Sequence, residues 1–90
     1  MTELGKKWWV YLVKCADESL YCGVTIDTKR RVQEHNLDDK KGAKYTKVRR
    51  PVELVYKQTC LNRSEACKEE ARIKKLSRKQ KIELIKADAL

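Results

Sequence analysis

Proline occurs once in these 90 residues, at Pro51, and glycine three times, at Gly5, Gly23 and Gly42. So little flexible material leaves no linker between domains, and the length itself suits one domain. Such a chain buries roughly 60% of its unfolded surface, so its core is small. No apolar run approaches the roughly 18 residues of a membrane span. The N-terminus has no apolar stretch followed by a small-residue cleavage site, so no signal peptide is expected and the protein is read as cytoplasmic. The four cysteines, Cys15, Cys22, Cys60 and Cys67, are then free thiols and small hydrophobes. Their spacings are not those of paired zinc ligands, and the single histidine, His35, cannot complete a Cys2His2 set, so no structural zinc is expected.

Acid is scarce as well. Thirteen Asp and Glu face twenty-two Lys and Arg, for a formal charge of +9. That balance suits a polyanion, most simply nucleic acid.

Along the chain, residues 1–6 read as a loose leader and 7–87 as the domain. Trp8 to Val13 is aromatic and β-branched, which favours a strand. A turn at 16–19 leads to a second strand over 20–25, and the short connection makes an antiparallel hairpin. Asp27 or Thr28 caps a helix running to about His35. Residues 36–51 read as a long loop carrying Lys40, Lys41, Lys44, Lys47, Arg49 and Arg50 with no acid after Asp39. Val52 to Thr59 alternates as a third strand, with Val52, Leu54 and Tyr56 on one side. Asn62 with Glu65, and Ser77 with Gln80, are capping boxes opening helices over 63–76 and 78–87. Ile82, Ile85 and Ala89 give the last helix a weak apolar stripe. The order β-β-α-β-α-α predicts an α+β fold, a three-stranded sheet covered by helices.

Some residues break local rules. Glu70 shares a helix stripe with Ala66 and Ile73, where a carboxylate needs a partner: Lys74, solvent or a bound cation. Arg31 and His35, one turn apart, share a face. Tyr11 and Tyr21 lie on the two arms of the hairpin, and Gly23 sits within a strand, where glycine often marks close approach of another group.

In order, Val10-Tyr11-Leu12, Tyr21-Cys22-Gly23, Arg31, His35 and Glu70 resemble the motif set of the GIY-YIG endonuclease superfamily. The chain looks most like its small bacterial single-domain group, the UPF0213-type proteins. Gly42-Ala43-Lys44-Tyr45-Thr46, Arg50-Pro51-Val52-Glu53-Leu54-Val55-Tyr56 and Ile73-Lys74-Lys75-Leu76-Ser77 match phrases of that group. The resemblance spans roughly residues 8–85.

It implies a mainly antiparallel sheet of three strands with Tyr11, Tyr21, Arg31 and Glu70 gathered on one side. It further implies metal-dependent hydrolysis of DNA phosphodiesters, on structured or damaged DNA. In that chemistry Glu70 holds one Mg²⁺ or Mn²⁺ and Arg31 offers its guanidinium fork to phosphate oxygens. Tyr11 is the favoured base, Tyr21 positions phosphate or water, and His35 assists or orients Arg31. The cations from Lys40 to Arg50 track the DNA backbone. Two positions depart from relatives: Val24 stands where repair members carry lysine, and no asparagine follows Glu70. A binding module with little turnover on the same scaffold is the alternative, and a basic protein-interaction domain is a third reading. DNA is the expected partner, with RNA left open, no membrane association, and a monomer or weak dimer as the state.

Overall fold

The computed structural model describes residues 7–88. The expected leader over 1–6 and the position of Ala89 lie outside the described residues. The elements are β1 (Trp8–Lys14), β2 (Leu20–Thr25), α1 (Thr28–Leu37), α2 (Lys44–Lys47), β3 (Glu53–Cys60), α3 (Arg63–Lys74) and α4 (Arg78–Asp88). The three strands form one antiparallel sheet in the order β2-β1-β3, so β1 is central and β2 is an edge.

The central strand is the most apolar, and its period-two alternation feeds two cores. Val10 and Leu12 join Cys22, Tyr56 and Ile73 on the side covered by α3 and α4. Tyr11 and Val13 join Cys15 and Val52 on the other side, with Val32 of α1 packed against them. Cys15 and Cys22 are buried and all four cysteines are free thiols.

Local chemistry sets the ends of the elements. The Asp17 carboxylate accepts from the backbone N–H and hydroxyl of Ser19 and shapes the β1–β2 turn. Asp27, not Thr28, caps α1 by accepting from Arg30 N–H. The Asn62 side chain accepts from Glu65 N–H at α3. At α4 the box is reciprocal: Ser77 Oγ accepts from Gln80 N–H, and Gln80 Oε1 accepts from Ser77 N–H.

Three expectations need correction. Val52, Leu54 and Tyr56 do not share a face. The β1–β3 register skips a residue, pairing Leu12 with Tyr56 but Val13 with Leu54. The extra residue, Val55, makes a bulge that reverses the alternation. Leu54 therefore packs with Val13 on the α1 side, while Val55 and Tyr56 turn to the α3 side. Nor is 36–51 a continuous loop. The first helix runs on to Leu37, and Lys44–Lys47 forms the single turn α2. The Asn36 side chain pins the start of β3 to the end of α1, donating to Val52 O and accepting from Val52 N–H at 3.0 and 2.7 Å. In α4 Ile85 of the expected stripe packs on the core, but its companion there is Leu84, while Ile82 is half-buried beside Leu20 and Val55.

Ile73 is fully buried between α3 and the sheet. Ile73→Ala is expected to lower unfolding stability by about 3 kcal/mol, through lost transfer energy and a residual cavity. Urea titration checks this: the midpoint falls while the slope is unchanged.

Candidate active site

The centre of the site is His35. Its side chain is fully buried although α1 is mostly polar. One ring nitrogen, Nε2, lies 2.8 Å from Tyr11 Oη, and the other, Nδ1, lies 2.7 Å from Thr46 Oγ1. The Thr46 hydroxyl donates to Ala43 O at 3.1 Å, which uses its only proton. Thr46 therefore accepts from Nδ1–H, and Nε2 is left to accept from the Tyr11 hydroxyl. β1, α1 and α2 are thus joined through one neutral imidazole. Burial first, and then the nearby Arg31 charge, push the His35 pKa down to about 4.

Tyr11 is 1% exposed, and burial pushes its phenol up to about 12 against the opposing pull of Arg31. Its ring lies across Gly23, the residue paired with it on β2. A methyl at position 23 would stand 2.5 Å from Tyr11 Oη and 2.7 Å from Cζ, so this glycine is required by contact. Tyr21, half-buried, meets the His35 ring edge-on, with centroids 5.4 Å apart. Its ring also stacks on Tyr45 at 5.7 Å.

Arg31 is half-buried beside this cluster. Its Nη1 donates to Glu34 Oε1 at 2.9 Å and to Lys41 O at 2.6 Å. Glu70 lies on α3, on the opposite side of β2, beneath Cys22. Burial pushes the Cys22 thiol up to about 12; the Glu70 charge adds to that shift, and Lys74 and Lys81 oppose it. Glu70 pairs with Lys74 at 3.2 Å, one of the partners its stripe position required. Tyr11, Tyr21, Gly23, Arg31 and His35 thus form one cluster. Glu70 is not part of it: it lies on the α3 side, where its charge reaches Cys22, and it makes no hydrogen bond to the cluster among the described residues.

The six cations of the 40–50 segment divide into two kinds. Lys40, Lys41, Lys44 and Lys47 are exposed. Arg49 and Arg50 are committed within the chain. Arg49 donates to Asp17 and to Tyr45 O, and its guanidinium lies 3.9 Å over the Tyr45 ring. Arg50 donates to His35 O, Asp39 and Asp38 O. Both close the segment over the His35 cluster. Thr46 and Tyr45 carried no individual signal in the sequence, although both fall within the Gly42–Thr46 phrase.

Among the described residues a metal ion would rest on a single carboxylate, since no group there of three or more His, Cys, Asp or Glu could enclose one. The half-buried Glu70 carboxylate already holds a cation, the Lys74 ammonium. That donor set suits a hard ion taking one carboxylate, several waters and substrate phosphate oxygens.

The GIY-YIG catalytic domain model matches residues 7–83. This chain belongs to the GIY-YIG domain family. Within it, the relatives are UPF0213 proteins. One from Desulfotalea psychrophila is 55% identical over 80 residues, covering 89% of this chain and 72% of that protein. One from Staphylococcus epidermidis is 54% identical over 79 residues, covering 88% and 94%. Solution NMR structures agree with the fold. A UPF0213 protein of Bacillus halodurans superposes with a TM-score of 0.58 at 38% identity, covering 91% of this chain and 85% of that one. A protein of E. faecalis gives 0.62 at 44% identity over the same shares.

The cluster makes two measurable demands. Gly23→Ala drives a methyl into the Tyr11 ring and is expected to cost about 1–3 kcal/mol, read by urea unfolding. His35 gives a pH dependence whose sign is fixed by its lowered pKa. Folding is fully favoured above the ordinary value of 6.5 and loses stability as pH falls toward about 4, because the unfolded chain takes up a proton that the folded chain refuses. The loss across that window is about 3 kcal/mol. Asp38 and Asp39, held below the usual 3.8 by hydrogen bonds from Lys40 and Lys41 N–H and from Arg50, contribute only at lower pH. Urea unfolding of wild type and His35→Gln across the window should show the slope in the first and not in the second.

Proposed function

We propose that this protein is a divalent-metal-dependent endonuclease that hydrolyses phosphodiesters in structured or damaged DNA. The observation that carries the reading is the neutral, buried imidazole whose free Nε2 faces the Tyr11 hydroxyl. A phenol whose pKa is about 12 is a weak base on its own. With His35 behind it, Tyr11 passes its own proton to Nε2 as its oxygen takes one from the attacking water. The water oxygen bonds to phosphorus, the bond to the 3′ oxygen breaks, and the proton, which His35 with its lowered pKa holds only in passing, returns through solvent to that leaving oxygen. Tyr11 is 1% exposed, so this step requires that strand binding open a path for the water to its oxygen.

Arg31 supplies the fixed positive charge for the nonbridging oxygens, exchanging its bond to the Lys41 carbonyl for phosphate. Tyr21, more open than Tyr11 and held between His35 and Tyr45, positions the phosphate. Glu70 would hold one Mg²⁺ or Mn²⁺, which when bound supplies Lewis-acid stabilisation of the leaving oxygen. Lys40, Lys41, Lys44 and Lys47, exposed on the segment that covers His35, follow the DNA backbone.

The second reading, a nucleic-acid-binding module with little turnover, is favoured by two features. Arg31 is already spent on Glu34 and a carbonyl, and Tyr11 is covered. Incubation with nicked, flapped, branched and single-stranded DNA in Mg²⁺, Mn²⁺ or chelator separates the two. Metal-dependent cleavage is expected, falling by about 10²-fold or more in Glu70→Ala and in Arg31→Ala. DNA affinity of Glu70→Ala should stay within about twofold of wild type, since that residue touches the cation and not the backbone. A folded wild type that binds the panel without cutting it would establish the binding module.

A further inference from the structure

Among the described residues Lys81 is the one lysine that is not exposed. It sits one turn before Leu84 and Ile85, the residues of α4 that pack on the core, so its stem is drawn inward with theirs. The half-buried arginines, Arg31, Arg49 and Arg50, each have a carboxylate within 3.1 Å. Lys81 has no ion pair among the described residues. With its stem packed and no described carboxylate paired to it, the Lys81 ammonium is left to an anionic ligand.

The surroundings select the anion. Lys81 lines a small cleft of about 130 Å³ with Ser19, Leu20, Tyr45 and Arg78. Arg78 is held there by donating to Glu18 O at 2.8 Å, which ties α4 to the β1–β2 turn. No carboxylate lines this cleft. Its Tyr45 wall is the ring stacked on Tyr21, so it opens directly beside the candidate active site. A cleft of that size, with two cations and a hydroxyl, admits a phosphate and is too small for a nucleoside.

We propose that Lys81 and Arg78 form a second phosphate subsite, which holds a backbone phosphate neighbouring the reacting one on the same nucleic-acid strand. The assignment rests on the nuclease reading for what happens at the first phosphate and not for binding at the second. The strand then runs from the His35–Tyr21 cluster over Tyr45 to the start of α4.

The test is equilibrium binding of a fluorescein-labelled oligothymidylate, read by anisotropy over a salt series in chelator. Lys81→Met keeps the stem and removes the charge. It should weaken binding about fivefold and reduce the slope of log K against log salt by about 0.7, the value for one single-strand phosphate contact. Lys81→Arg should restore both. Lys79→Met, on the exposed side of the same turn, should change affinity less than twofold. The melting temperature of Lys81→Met should equal or exceed that of wild type, which separates lost contact from lost fold. Unchanged affinity and slope in Lys81→Met, or an equal loss in Lys79→Met, would overturn the subsite. Cleavage stands apart: binding through Lys81 without any cutting removes the nuclease reading and keeps the subsite, whereas cutting with binding insensitive to Lys81 does the reverse.

Discussion

A histidine that is fully buried can stay only if both ring nitrogens are satisfied, and most of the architecture around the site answers that requirement. Nδ1 needs an acceptor and finds Thr46, which brings a single helical turn, α2, down over α1. Nε2 needs a donor and finds Tyr11, which commits the central strand. Tyr11 can reach His35 only by lying across β2, and that in turn forbids a side chain at Gly23. Arg50 closes the arrangement by donating to the His35 carbonyl at 2.6 Å. The polarity of the tyrosine–histidine bond is set by the threonine, since its one proton is used on Ala43 O. A proton acceptor facing a phenol is therefore a consequence of packing, present before any substrate arrives.

The positive charge of the chain is handled in layers. Where a guanidinium is partly buried it is paired: Arg31 with Glu34, Arg49 with Asp17, Arg50 with Asp39. Each of these arginines also spends donors on backbone carbonyls, so their first contribution is to hold the 40–50 segment in place. Lysines carry most of the uncompensated charge and stand in solvent, where the penalty for an unpaired ammonium is small. The exposed lysines of that segment sit on a surface whose shape the arginines fix.

Legible in the sequence was whatever depends on short-range rules. The hairpin, three of the helices and their caps at Asp27, Asn62 and Ser77 all derive from spacing and composition within a few residues. Glu70 stood out because a carboxylate interrupted an apolar stripe, and its partner Lys74 lies one turn away. The bulge at Val55 was invisible because it is a property of how β3 registers on β1, a strand far away in the chain, and no local signal carries it. A four-residue helix is shorter than the periodicity needed to detect it. Arg49 and Arg50 read as free cations because their partners, Asp17 and the His35 carbonyl, come from other elements. The same holds for Thr46, whose importance lies wholly in a contact made across the fold.

The position of the site on the sheet has its own cause. Successive residues of a strand point to opposite faces, so Tyr21 turns toward α1 and Cys22 toward α3. Arg31 and His35 come from one layer and Glu70 from the other, and a central strand would hold those layers apart across the sheet. β2 has no neighbour on its outer side, so groups from both helical layers can approach one another around its edge. Edge strands ordinarily invite unwanted pairing and need protection. Here the charged groups of the two layers, Arg31 on α1 and Glu70 with Lys74 on α3, are the ones the proposed chemistry would use. An edge position would thus reconcile two demands on β2, discouraging another strand from adding to it and, on the proposed function, leaving its outer side open to a phosphodiester.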